Sequence, residues 1–280
     1  MTAMTEHGTP APAEGAVTRV RAAGLPGHAD PVLECRDLSV RHGSEALLSG
    51  ISLAFGRNEA TAIVGAPGAG KTTLLKSLNR MIDLVPELQS SGQVLLDGED
   101  LRAPGVDVLA LRARVVLVPA RPTPFRLSIF DNVAYGPRIH GLAPDRTELE
   151  RRVRDSLDAV GLFDDVRTQL SAGCDGLRPE QVHRLCIARA LALEPRVLLF
   201  EDPCRGLDPA AAARIEDLVH GLSRRLSVVF TVQSMQMAGR IAQRIAFLHA
   251  GRLVEVNLAD ELLTKPRHRL TEAYVTGRIT

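Results

Sequence analysis

The sequence contains no tryptophan, and only 3% of its residues are aromatic. Surfaces that bind single-stranded nucleic acid use aromatic side chains and an excess of basic charge. Because the formal net charge is only +1, no nucleic-acid partner is expected. C-x-x-C pairs are also missing, so the cysteines are expected to be reduced, mostly buried thiols rather than metal ligands. They are Cys35, Cys174, Cys186 and Cys204.

Long apolar runs are absent as well. No run approaches the roughly 20 residues that a transmembrane helix needs. Residues 1–30 lack the apolar core of a secretory signal. Any role at a membrane is therefore expected to depend on a partner. What the chain does have is 45% hydrophobic residues over a length of 280, which is enough for a substantial buried core.

The pattern of the chain changes after its first 30 residues. Residues 1–30 are rich in Ala, Gly, Pro and Thr without periodicity, which predicts a disordered tail. Alternating or short apolar runs predict strands over 32–40, 51–55, 60–64, 93–96, 115–118, 197–200, 227–232, 245–249 and 252–256. Helical periodicity and capping signals predict helices over 71–81, 145–160, 181–193 and 209–224. Residues 122–180 are predicted to be mostly helix and loop, and a polar helical tail is predicted over 259–280.

Strands that alternate with helices indicate an α/β fold, with a mostly parallel sheet covered on both faces. One loop in this pattern carries chemistry. Its residues fit G-x-x-x-x-G-K-[ST] at every fixed position, between a buried strand and a helix; they are Gly65, Ala66, Pro67, Gly68, Ala69, Gly70, Lys71 and Thr72. Glycines let successive backbone N–H groups face phosphate oxygens. Lys71 is expected to reach the β- and γ-phosphates, and the Thr72 hydroxyl to ligate Mg²⁺.

A second motif lies about 130 residues after Lys71. The apolar strand 197–200 ends in two carboxylates, Glu201 and Asp202, which is the Walker B form. Two further stretches resemble ABC-type ATPases: RLCIARAL at 184–191 is similar to the helix after the ABC signature, and GLDP at 206–209 is similar to the D-loop. The long gap between the two motifs leaves room for the helical subdomain of that family.

Three stretches resemble one branch in particular, the ATPases of phosphate importers. That branch carries NRM.DL.P after the P-loop helix, PTPF..SI.DN.A.G in the middle and TKP....TE.Y.TGR at the end. This sequence matches these patterns at 79–86, 122–136 and 264–278. The resemblance covers about residues 32–279. It implies a RecA-like P-loop NTPase core with an antiparallel β subdomain and a helical subdomain at about 122–180, together forming an ATP-binding domain over 31–258.

The chain departs from the family at the signature loop, which in the family reads LSGGQ and binds the γ-phosphate held by a partner subunit. Here it reads Leu177, Arg178, Pro179, Glu180 and Gln181. Pro179 has no N–H to donate, and Glu180 is expected to bring negative charge towards the phosphate. Whether Arg178 offsets this by pairing with phosphate is open.

Five other positions differ. The Walker B pair reads Glu201 then Asp202, the reverse of the family order, so the base is one methylene shorter. The Q-loop glutamine aligns with Ala120, the switch histidine with Gln233, and the A-loop tyrosine with His42. Histidine still stacks on adenine, although less extensively than tyrosine.

The resemblance implies the following site. Glu201 holds Mg²⁺ through water together with Thr72, Asp202 is the candidate base, and Gln233 replaces the switch histidine. ATP is expected to contact the loop residues 65–72, Thr73 and His42.

The implied function is ATP-driven import of inorganic phosphate. The expected partners are two membrane permease subunits, a second ATPase subunit in a homodimer or a heterodimer with a paralogue, and indirectly a periplasmic or extracellular phosphate-binding protein. The expected location is the cytoplasmic face of the plasma (inner) membrane, as a peripheral subunit. The altered motifs leave a second hypothesis open, a hydrolysis-impaired pseudo-ATPase with a regulatory or structural role. A chromosome-associated ABC ATPase is disfavoured because the chain has no room for a long coiled coil.

Overall fold

The computed structural model describes residues 31–279, so the tail predicted over 1–30 lies outside the described residues. A six-stranded sheet forms the centre, with the order β10-β9-β3-β8-β7-β6. Its strands are β3 (Ala60–Val64), β6 (Val115–Val118), β7 (Val197–Glu201), β8 (Ser227–Thr231), β9 (Arg244–His249) and β10 (Arg252–Leu258). All neighbours are parallel except β9 and β10, which form the predicted hairpin.

A second, antiparallel sheet packs on one side of the first, in the order β2-β1-β4-β5. It comprises β1 (Leu33–His42), β2 (Glu45–Phe55), β4 (Leu88–Leu96) and the two-residue β5 (Glu99–Asp100). Both faces of the central sheet are buried, because successive side chains along a strand enter two different cores. Ala62 and Val64 of β3 belong to the core beneath the helices, whereas Ile63 belongs to the core shared with the antiparallel sheet. Two-sided burial explains why these strands read as continuous apolar runs.

Ten α-helices surround the sheets in the described part of the chain. They are α1 (Lys71–Ser77), α2 (Val108–Arg114), α3 (Ile129–Ile139), α4 (Arg146–Ala159), α5 (Phe163–Val166), α6 (Pro179–Leu191), α7 (Pro209–Ser223), α8 (Met235–Ile241), α9 (Ala259–Thr264) and α10 (Arg269–Val275). The pattern confirms the predicted α/β class. Within residues 31–279, no helix combines the length and apolar character that crossing a membrane requires.

Helix α1 is shorter than the predicted helix over 71–81. It ends at Ser77 because Arg80 adopts a left-handed conformation with φ 60°. The Asn79 side chain fixes this turn: its Nδ2 donates to the Val115 carbonyl at 3.3 Å, and its Oδ1 accepts from Met81 N at 3.3 Å. Helices α2 and α8 were not predicted, since seven residues are too few for a clear helical period.

Candidate functional site

The glycine-rich loop and the carboxyl ends of β7 and β8 enclose one cavity of about 330 Å³. The loop side is lined by Pro67, Gly68, Gly70, Lys71, Thr72 and Thr73, and by Leu47 from β2. The strand side is lined by Glu201, Asp202, Arg205, Thr231, Val232 and Gln233. Ligands of open parallel sheets bind at this edge, where the strands end. The structure therefore brings the two sequence motifs together.

Two glycines shape the loop, and a side chain at either position would force neighbouring atoms to move. Gly70, the N-cap of α1, has φ 95°, and a Cβ there would lie 2.7 Å from Leu48 Cδ2. A Cβ on Gly65 would lie 2.3 Å from the Leu248 carbonyl oxygen. The loop is also anchored from outside, since Gly251 N donates to the Ala69 carbonyl at 3.2 Å. Buried Ala69 and residues Gly65 and Ala66 thus support the cavity rather than line it.

Lys71 lies at the start of α1, with its ammonium folded onto the loop. The Nζ donates to the carbonyl oxygens of Gly65 at 2.6 Å and Ala66 at 2.8 Å. Burial lowers the pKa of Lys71, and the nearby Asp202 carboxylate opposes this effect. The ammonium is thus held at the cavity by hydrogen bonds to carbonyl oxygens, and it can donate to phosphate oxygens in the same way.

Thr72 and Glu201 supply two oxygens suited to Mg²⁺. The Thr72 hydroxyl donates to Glu201 Oε1 at 2.9 Å. Adjacent ligands of an octahedral Mg²⁺, each about 2.0–2.1 Å from the ion, lie about 2.9 Å apart. Hard oxygen ligands from a hydroxyl and a carboxylate are the donors this ion prefers. The donor types and their spacing therefore fit Mg²⁺, and the expected role of Glu201 through water stays a prediction. Lys76 Nζ lies 4.0 Å from Glu201 Oε2.

Asp202 follows β7 in a left-handed conformation, with φ 46°. Asp and Asn are enriched in this region relative to other residues. Its N–H donates to the Thr231 carbonyl at 3.1 Å and the Thr231 hydroxyl at 3.2 Å. Burial raises the pKa of Asp202, and Arg205 is the largest influence that lowers it. A partly buried carboxylate of raised pKa suits a general base.

Of the three altered positions outside the signature loop and the Walker B pair, only Gln233 reaches this cavity. Its carbonyl accepts a hydrogen bond from the Tyr274 hydroxyl of α10 at 3.3 Å. The Tyr274 ring stacks on Phe247, with centroids 4.8 Å apart. Ala120 is buried outside the cavity lining, and His42 is exposed at the end of β1. The predicted adenine contact of His42 stays a prediction.

The expectation for Glu180 is corrected by its surroundings. Glu180 lies in the first turn of α6 and is only 9% exposed. Its carboxylate pairs with Arg184 Nη2 at 2.6 Å and with Arg214 of α7. These arginines hold the pKa of Glu180 below its usual range, with the Arg214 hydrogen bond as the main cause. Because its charge is neutralised within the fold, Glu180 does not present a bare carboxylate to a phosphate.

Sequence reasoning missed several residues around the cavity. Arg205 and Thr231 line it, Lys76 approaches Glu201, and Tyr274 supports Gln233. For Arg205 a signal was available, because it stands three residues after Asp202 in a turn that contains Pro203. For Tyr274 there was no signal beyond its place in the terminal motif, since the contact spans 41 positions.

A second cavity, of about 460 Å³, lies between α3, α6 and β6. Its lining is mostly apolar and includes Leu109, Phe125, Tyr135 and Ile139, all of which are exposed. The Phe125 ring lies between Tyr135, with centroids 4.8 Å apart, and the Arg189 guanidinium, 4.2 Å from the ring centroid. This apolar groove is separate from the cavity at the glycine-rich loop.

Comparison with known proteins agrees with the geometry. The family model described as ABC transporter matches residues 48–205, more than half of the chain. Among solved structures, the chain is similar to CbiO1 from Clostridium perfringens, described as part of the ABC transporter complex CbiONQ. The TM-score is 0.72 at 23% identity, over 89% of this chain and 100% of that chain. These findings confirm the predicted P-loop NTPase core with its antiparallel and helical parts.

Proposed function

The chain belongs to the ABC transporter family, and from this premise we propose that it is the ATP-binding subunit of an importer for inorganic phosphate. One observation carries the ATP-binding part of the proposal. A single cavity is lined by Lys71, Thr72, Glu201 and Asp202. A nucleoside triphosphate bound there would meet an ammonium, a hydroxyl and two carboxylates. No other described cavity combines these groups in residues 31–279.

Each group has a role in binding and hydrolysis. Lys71 and the N–H groups of the loop hold the phosphates. Thr72 and Glu201 would hold Mg²⁺, which would neutralise charge on the phosphate oxygens when bound. The Asp202 carboxylate orients the attacking water and accepts its proton. The Gln233 side chain, at the cavity rim, supplies a hydrogen bond in place of the family's histidine.

The proposed membrane partners would dock in the apolar groove between α3 and α6. Exposed apolar patches of this kind commonly mark interaction surfaces. The phosphate-branch motif builds the groove: Asn132 is fully buried, accepts from Phe125 N at 2.7 Å and donates to the Phe125 carbonyl at 3.2 Å. Asn132 therefore fixes the loop that presents Phe125. A membrane subunit seated here would hold the chain at the cytoplasmic face of the membrane, as a peripheral subunit with a second ATPase subunit beside it.

The choice of phosphate rests on the three branch motifs. One of them also contributes to the site, since Tyr274 of the terminal motif contacts Gln233. Uptake of radiolabelled inorganic phosphate by cells that lack the chain tests the choice. Expression of the wild-type chain should restore uptake, and Lys71→Ala should not. Equal uptake in cells with and without the chain would rule out phosphate as the solute.

A second candidate function is a regulatory nucleotide-binding module with impaired hydrolysis. It is favoured by the signature loop, where Pro179 begins α6 and Glu180 is tied to Arg214. Such a module would bind MgATP without turnover. Hydrolysis measured beside binding separates the two candidates.

A further inference from the structure

Arg205 is a cation of the proposed nucleotide cavity whose guanidinium makes no hydrogen bond to the described part of the chain. It lines the same cavity as Lys71, Glu201 and Asp202. Its side chain is exposed. Within residues 31–279, its guanidinium makes no ion pair within 4.0 Å and no side-chain hydrogen bond. Arg214, nine residues later, is by contrast paired with Glu180. Arg205 acts on Asp202 through space, since it lowers the pKa of that carboxyl, but no hydrogen bond to the described residues occupies its guanidinium donors, which are therefore available for a ligand.

The backbone places Arg205 there through a tight turn. Asp202 takes the left-handed conformation, and Arg205 N donates to the Asp202 carbonyl at 3.1 Å. Pro203 lies inside this turn, and Gly206, with φ 80°, leads the chain away towards α7. The turn brings Arg205 back beside Asp202. The position of the arginine is thus set by the same segment that positions the candidate base.

Charge in the cavity depends on this residue. With Arg205, the two cations Lys71 and Arg205 face the two carboxylates Glu201 and Asp202. Without it, one cation faces two carboxylates, which opposes the binding of a polyanion. Gln233 and Thr231 add hydrogen bonds but no charge. Arg205 therefore supplies half of the positive charge that the lining side chains offer.

We infer that Arg205 binds the terminal phosphate of the nucleotide, so that the site favours a nucleoside triphosphate over a diphosphate. This inference rests on the proposed function. The loop and Lys71 line the cavity together with Arg205 and the two carboxylates, so a nucleotide whose phosphates are held by the loop would have the Arg205 guanidinium available to its terminal phosphate. A planar guanidinium binds two phosphate oxygens at once, which a lysine ammonium does not.

The experiment is calorimetric titration of the full chain with Mg²⁺ and either ADP or the non-hydrolysable analogue adenylyl imidodiphosphate. The variants are Arg205→Ala and Arg205→Lys, with Arg126→Ala as the matched control, because Arg126 is exposed and lies outside the cavity lining. Arg205→Ala should weaken analogue binding about tenfold or more. ADP binding should change less than about twofold. Arg205→Lys should fall between, and Arg126→Ala should match wild type.

The outcomes separate the inference from the function on which it rests. Unchanged analogue affinity in Arg205→Ala, with wild type binding normally, would overturn the inference alone. Equal weakening of analogue and ADP would also overturn it, because the contact would not be to the terminal phosphate. A loss seen only at protein concentrations where the chain dimerises would place Arg205 in a partner's site and overturn it too. Failure of wild type to bind either nucleotide would overturn both proposals.

Discussion

The Thr72 hydroxyl donates a hydrogen bond to Glu201 Oε1 at 2.9 Å, across 129 positions of sequence. This contact joins the glycine-rich loop to the end of the Walker B strand. Glutamate stands here in place of the family's aspartate, and its carboxylate is in direct contact with the threonine hydroxyl. The first carboxylate of the pair is thus compatible with holding a metal ion.

Glu201→Gln should weaken the Mg²⁺ dependence of ATP binding. The amide keeps the shape but removes the charge that an Mg²⁺ ligand supplies. We expect the ATP affinity in excess Mg²⁺ to fall about tenfold or more, and the affinity measured with EDTA to change little. Calorimetric titration checks this. The control is Glu87→Gln, which should behave as wild type because Glu87 is exposed and lies outside the cavity lining. An unchanged Mg²⁺ dependence in Glu201→Gln would show that Glu201 does not bind the metal.

Asp202→Asn should separate hydrolysis from binding. Asparagine tolerates the left-handed backbone that Asp202 adopts, so the fold should persist. It cannot accept a proton, and removal of a general base costs about 10²–10⁴-fold in rate. ATP hydrolysis should therefore fall at least about a hundredfold relative to wild type, whereas ATP affinity should not fall. Wild-type turnover in Asp202→Asn would show that another group acts as the base.

Glu180→Gln should lower the free energy of unfolding. Glu180 is 9% exposed, pairs with Arg184 of its own helix and joins α6 to α7 through Arg214. Hydrogen bonds to charged groups contribute about 1.5–3 kcal/mol each, so a loss of about 1–3 kcal/mol is expected on denaturation with urea. The control is Glu150→Gln. The ion pair between Glu150 and Arg146, at 2.7 Å, is exposed, so its loss should lower the free energy of unfolding by less than about 0.5 kcal/mol. Equal losses in the two variants would refute the structural role.

His183 should make the stability depend on pH. Its Nδ1 lies 3.2 Å from the Pro203 carbonyl oxygen, and burial lowers its pKa from the ordinary value of 6.5. The unfolded chain then binds a proton more readily than the folded chain as the pH falls below 6.5. The contribution of His183 to the free energy of unfolding is fully present above pH 6.5. It is lost as the pH falls through the lowered pKa of the folded chain.

Urea denaturation between pH 7 and pH 5 checks this prediction. Wild type should lose more stability over that range than His183→Gln, which does not titrate. His42→Gln, at an exposed position at the end of β1, should follow wild type. The prediction fails if His183→Gln loses as much stability as wild type.

Much of the fold could be predicted from local patterns. The strand that precedes Gly65 and the strand that ends at Glu201 are short apolar runs buried on both faces, and the glycine-rich loop lies between a strand and a helix. The meeting of Lys71, Glu201 and Asp202 follows from that arrangement, since parallel strands end at the same edge.

Long-range pairing of side chains could not be predicted in this way. Glu180 was expected to face a phosphate, yet its charge is neutralised by Arg214, which lies 34 positions away on another helix. The end of α1 depends in the same way on a contact between Asn79 and Val115. Such contacts depend on the packing of distant segments, which neither periodicity nor motif spacing encodes.

Steady-state hydrolysis of MgATP by the purified chain, alone and with candidate membrane subunits, decides between the importer ATPase and the regulatory module. The control is Lys71→Ala, which removes the ammonium held at the loop. We expect hydrolysis clearly above the control, because the proposed metal ligands and the proposed base face one cavity. Hydrolysis no greater than the control in both conditions, with ATP binding still measurable, would contradict the importer ATPase and support the regulatory module.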